Sequence, residues 1–169
     1  IRQAAAWTAG RMGKNSAPLI DLLLAQMHKY QPDCSWEWVY AIGEIGLVHE
    51  QVMPNLVSRL EKTVYGQWIM AHPENYPGYV RQLLGLLEKF GPRSAPAVDL
   101  LAAILEEKAD PELQLGIARV LGATGPAAGK AIPTLEKMGL ASKNADLRKA
   151  AQAAMEKIKA KAGAIDEKK

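Results

Sequence analysis

Apolar residues recur along this chain at three- and four-residue spacing, in runs that stop at glycine. The opening stretch, "IRQAAAWTAGRMG", closes at Gly13. The same pattern returns in "CSWEWVYAIGEIG", "YVRQLLGLLEKFG" and "LQLGIARVLGATG", which close at Gly46, Gly91 and Gly125. A fifth run, "LRKAAQAAMEKIK", ends at Lys159 instead. The spacings are 33, 45, 34 and 34 residues. A stripe of Ile1, Ala4, Ala5, Ala9 and Met12 in the first run, and of Leu147, Ala150, Ala151, Met155 and Ile158 in the fifth, predicts helices with one apolar face. Glycine at the end supplies the left-handed backbone that stops a helix. After each stop comes a short turn, then Pro18, Pro54, Pro96 or Pro133, suited to the first turn of a second helix. Asp21 and Asp99 fall in the first turn of two such helices, where a negative charge complements the helix dipole.

The predicted fold is therefore all-α, a stack of helical hairpins with a period of thirty to fifty residues. The repeats cover about 1–33, 34–78, 79–111 and 112–146, followed by a capping helix over 147–161 and a polar tail over 164–169, all within one domain over 1–163. Ala and Leu dominate the apolar half of the composition and Phe occurs once, which argues against a sheet-rich fold.

"IRQAAAWTAGRMG", "LRKAAQAAMEKI" and "GPAAGKAIPTLEKM" resemble HEAT repeats, in particular the bacterial HEAT-like type also found in phycobilin lyases. The resemblance covers roughly residues 1–160. It implies an α-solenoid of about four and a half hairpins, with first helices on the convex side and second helices on the concave side. Solenoid units bury their faces only on their neighbours, so the ends need caps. The fifth run, with its polar tail, reads as a C-terminal cap. The stripe of Ile1, Ala4 and Ala5 has none, and is expected to be covered by something that precedes Ile1.

The second repeat exceeds the period by about eleven residues, within "EKTVYGQWIMAHPENYPG", 61–78. Leu56, Leu60, Val64 and Trp68 extend its second helix to about Met70, and "HPENYPG" reads as a loop. Seven of the ten aromatic residues lie between Trp36 and Tyr79. Trp38 aligns with Ala5, Leu83, Ile117 and Ala151, an apolar column, and is expected in the core. Trp36 aligns with Gln3, Arg81, Leu115 and Lys149; Tyr40 aligns with Trp7, Gly85, Arg119 and Ala153. These mixed columns face solvent, with Trp36 and Tyr40 on one helix face and Trp7 beside Tyr40 on the adjacent helix. Exposed Trp and Tyr anchor protein interfaces. Trp7, Trp36, Tyr40, Tyr65, Trp68 and Tyr76 are the candidate partner-binding residues. The alternative is that the insertion folds back and covers them.

Charge adds little to this picture. The net charge is +3, but from Lys130 onward ten Lys/Arg face five Asp/Glu. A basic end permits contact with an acidic surface, or is a solvated terminal helix. Cys34 is the single cysteine, so there is no internal disulfide and no cysteine-based zinc site; it reads as a small core residue. His28, His49 and His72 lack metal-ligand spacing, and one His49-Glu50 pair falls short of the repeated pairs of the HEAT-like deoxyhypusine hydroxylases. "GATGPAAGKA" lacks the strand and the Ser or Thr of a phosphate-binding loop. No catalytic, cofactor or metal site is expected, and no run is long enough to span a membrane. No signal peptide is visible at Ile1, and the compartment stays open.

The function expected is a non-catalytic protein–protein interaction scaffold, an adaptor or assembly factor whose partner is another protein or a complex. A HEAT-like subunit of a chromophore lyase or other enzyme is the alternative. Nucleic-acid binding through the basic end comes third, because Asp21, Asp99, Glu106 and Glu107 on the second helices count against it.

Overall fold

The computed structural model describes residues 2–29, 36–46, 50–65, 76–107 and 110–166, with side chains over 3–26, 37–46, 50–65, 78–107 and 110–160. Those residues are α-helical and 3-10 helical, with no strand among them. The α-helices are α1 (Arg2–Met12), α2 (Ile20–Lys29), α3 (Trp36–Ile45), α4 (Val52–Tyr65), α5 (Tyr76–Phe90), α6 (Val98–Glu107), α7 (Pro111–Thr124), α8 (Ile132–Ala141) and α9 (Ala145–Asp166). Seven-residue 3-10 segments, Gly13–Leu19, Gly91–Ala97 and Gly125–Ala131, join α1 to α2, α5 to α6 and α7 to α8. The chain forms two compact units, Ile1–Leu86 and Leu87–Lys169.

The glycine stops are where the pattern places them. Among the described residues the positive-φ positions are Gly13 (55°), Gly46 (89°), Gly91 (55°) and Gly125 (73°), and no other residue type adopts positive φ. A Cβ at these positions would crowd the following carbonyl, so glycine is the residue that lets the chain turn there. The prolines divide into two kinds. Pro133 stands at the start of α8 and Pro54 in the first turn of α4, where the missing N–H would have had no intrahelical partner. Pro18 and Pro96 instead sit inside the 3-10 segments, two residues before α2 and α6 begin. The expected short turn is therefore itself helical, and proline's fixed φ suits it. Asp21 and Asp99 do lie in the first turns of α2 and α6.

Helix ends differ from expectation in three places. The loop predicted over 72–78 is helical from Tyr76, because Pro77 serves as an early helical residue rather than a breaker. The last helix starts at Ala145 and runs to Asp166, into the segment expected as tail. The stretch 66–70, which carries the predicted extension of α4 and Trp68, lies outside the described residues, as does Cys34.

In the first unit α1 packs on α3. Ala41, Ile42, Ile45, Leu56 and Leu60 are fully buried there. In the second unit α7 packs on α9, and α9 also covers α8 and the segment Gly125–Ala131; Leu101, Ile104, Ile117, Leu121 and Leu135 are fully buried. The fifth stripe points inward as expected at Leu147, Ala151 and Ile158, with Ala150 and Met155 half-buried. The first does not. Ala4 and Ala5 are exposed and Met12 is 52% exposed. The buried face of α1 is Ala6, Ala9 and Gly10, the face that meets α3.

Candidate partner-binding surfaces

Both seams between neighbouring first helices, α1 on α3 and α7 on α9, depend on a glycine. A Cβ on Gly10 would stand 2.6 and 2.7 Å from the ring of Tyr40 and 3.1 Å from Ala41 Cα. A Cβ on Gly122 would stand 3.0 Å from Ala154 Cα. The distances to the Tyr40 ring are shorter than carbon atoms tolerate, and those to the two Cα atoms are tight enough to push the helices apart by a few tenths of an ångström. Each glycine therefore admits the backbone of the neighbouring helix, and Gly10 admits a phenol ring besides.

Tyr40 sinks into the space Gly10 leaves and is half-buried, where full exposure was expected. Trp7 lies over it, ring centroids 4.7 Å apart and planes at 26°. Such offset stacks contribute roughly 0.5–1.5 kcal/mol beyond area burial. Trp7 remains 39% exposed, so the pair presents an aromatic surface to solvent. Trp38 is buried at 8% exposure, as its apolar column implied. Tyr65, the last residue of α4, is 40% exposed. Trp36 and Tyr76 open α3 and α5, but their side chains lie outside the described residues, as do Trp68 and the insertion that would cover the group. Of the six candidates, the structure brings Trp7 and Tyr40 together.

A second surface emerges by comparing equivalent positions. Thr8 aligns with Ala41, Leu86, Val120 and Ala154, all buried, and is itself exposed. Met12 aligns with Ile45, Thr124 and Ile158, all at most 1% exposed, and with the half-buried Phe90. Leu19 aligns with Val52, Ala97 and Ala131, all fully buried, yet is 43% exposed. Leu22, one turn further along α2, is 58% exposed. Ala5, Thr8, Met12 and Leu19 thus keep core-type chemistry on a face that the described residues leave open. The signal was present in the sequence as the stripe beside Ile1; what the stripe did not reveal is that Leu19 and Leu22 continue it onto α2.

The second unit carries a different surface. The α7–α9 seam is an open groove rimmed by Arg119, Lys149 and Lys157. The mixed columns that pointed to Trp7, Trp36 and Tyr40 contain Arg119 and Lys149 as well, so the sequence held this signal too.

No group of three or more His, Cys, Asp or Glu side chains among the described residues could hold a metal ion. The side chains of His28, His49 and His72 lie outside them. Asp99 pairs with Lys130, both well exposed, and Thr134 Oγ1 donates to Glu106 Oε1 at 3.0 Å, so two of the acidic residues on second helices are engaged in surface contacts. No helix among the described residues is long and apolar enough to cross a membrane. No family model, no curated protein and no solved structure matches the chain.

Proposed function

We propose that this chain is a HEAT-like α-solenoid segment that acts as a non-catalytic scaffold, binding another protein through the open face of its first hairpin. The observation that carries the reading is the face formed by Ala5, Thr8, Met12, Leu19 and Leu22. Equivalents of the first four are buried elsewhere in the chain, apart from the half-buried Phe90, whereas these are open. Exposed apolar surface of this kind marks interaction sites, and the stacked Trp7–Tyr40 pair, shared by α1 and α3, adds an aromatic anchor of the sort that dominates binding energy. The repeated glycine stop, 3-10 segment and second helix support the solenoid assignment, since such units stack by presenting one face to each neighbour.

The test is affinity capture from a native lysate with the full chain, beside Leu19→Glu/Leu22→Glu and Trp7→Ala variants. All three side chains are at least 39% exposed, so the variants keep the helical circular dichroism of the parent. Discrete partners should be retained by the parent and lost by the double Glu variant, with Trp7→Ala reducing recovery about tenfold. Identical recovery by parent and variants would sink the reading.

A further inference from the structure

We propose that the groove between α7 and α9 binds an acidic protein segment, one that carries two or three carboxylates around one or two small apolar side chains. The groove is half open to solvent and spans about 440 Å³. Its apolar lining is Leu115, Ala118 and Gly122 from α7 and Ala150, Ala153 and Ala154 from α9. The two helices approach closely at Gly122, where a Cβ would stand 3.0 Å from Ala154 Cα.

Charge decides the ligand. Arg119, Lys149 and Lys157 are exposed at the rim and make no hydrogen bond or ion pair among the described residues. One carboxylate, Asp146, shares the rim. Three cations against one anion over a floor of methyl groups complement a peptide whose acidic residues flank Ala or Leu. A single-stranded nucleic acid would use the cations, but such ligands gain their binding from bases stacked on aromatic rings, and none of the lining residues is aromatic. The inference does not depend on the apolar face of the first hairpin, which lies in the other compact unit and has different chemistry.

The equivalent seam of the first unit shows how the groove would be closed. There the positions of Arg119 and Ala153 are held by Trp7 and Tyr40, and Gly10 stands where Gly122 does. Ala153→Tyr would lay a ring over Gly122 as Tyr40 lies over Gly10, filling the groove without altering any charge. Ala153 is exposed, so the substitution leaves the core intact.

The experiment is fluorescence anisotropy of the full chain with a short fluorescein-labelled peptide of Asp, Glu, Ala and Leu. Arg119→Gln, Lys149→Gln and Lys157→Gln should each weaken binding about threefold, as expected for one exposed charge contact, and Ala153→Tyr about tenfold. Lys137→Gln and Lys143→Gln, exposed cations outside the groove lining, should leave it unchanged. Equal weakening by the two control variants would show a diffuse electrostatic effect and overturn the proposal. So would unaltered binding by Ala153→Tyr, or an oligothymidylate that binds the same rim as tightly as the peptide. The Leu19→Glu/Leu22→Glu variant should bind the peptide like the parent, which separates this result from that of the scaffold reading.

Discussion

The α1–α3 and α7–α9 seams are built on one plan and finished differently. Each joins two first helices, and each has a glycine at the same repeat position, Gly10 or Gly122. In the first unit that glycine receives the α3 backbone at Ala41 and the Tyr40 ring, Trp7 stacks on the ring, and the seam is closed with aromatic carbon. In the second the glycine receives the α9 backbone in the same way, but Ala153 leaves the surface bare, and Arg119 stands where Trp7 does. The backbone arrangement therefore does not determine the surface a seam presents. Two residues on the outer face of each helix pair decide between an aromatic patch and a cationic groove. In both units one set of positions joins the helices and another sets the chemistry that the seam presents.

On that comparison, substituting the two glycines should cost similar stability and leave different signatures. Gly122→Val should be among the most damaging changes, because its side chain meets the α9 backbone at Ala154. A loss of about 3 kcal/mol is expected, the upper end for overpacking a close contact. Gly10→Val meets the α3 backbone at Ala41 in the same way and should cost about as much. Only at Gly10 is a ring displaced as well, so only there should tryptophan emission change as Trp7 loses its partner. Urea titration followed by fluorescence checks both variants, and an unchanged native emission for Gly10→Val would mean that the Tyr40 ring does not sit against Gly10.

Tyr40→Ala comes next. It removes a half-buried ring and a stack, and about 2 kcal/mol should be lost. The second unit offers a control at the same repeat position, because Ala153 carries only a methyl group there. Ala153→Gly should therefore cost only the difference in helix propensity, about 1 kcal/mol. If Tyr40→Ala costs no more than that, Tyr40 is not packed as described.

Much of this was legible in the sequence, and the missing parts share a cause. The four glycine stops could be read because one residue type takes positive φ readily. Trp7 could be placed beside Tyr40 because a 33-residue spacing sets equivalent positions side by side. The face of α1 that meets α3 was not identified because Ala4, Ala5, Ala6 and Ala9 are chemically alike, so the pattern could not say which alanines pack there. The depth of Tyr40 and the groove beside Arg119 were not anticipated because both are made by missing atoms, at Gly10, Gly122 and Ala153. A side chain announces what it can do. A gap has meaning only once the neighbouring helix is in place.

The smallest expected effects test the same idea inside the 3-10 segments. Ser16 and Ser94 occupy equivalent positions and both are buried, at 1% and 0% exposure. Ser94 Oγ donates to the Leu87 carbonyl at 2.7 Å, while Ser16 Oγ has no partner among the described residues. A buried hydroxyl that is hydrogen-bonded contributes about 1 kcal/mol net, and one that is not costs its desolvation. Ser94→Ala should therefore lower stability by about 1 kcal/mol, and Ser16→Ala should leave it unchanged or raise it slightly. The third segment has already made this substitution: Ala128 holds the position there and is fully buried. Because both variants remove one oxygen from one kind of turn, the two urea midpoints can be compared directly, and a loss at Ser16 as large as at Ser94 would mean that its hydroxyl finds a partner in solution.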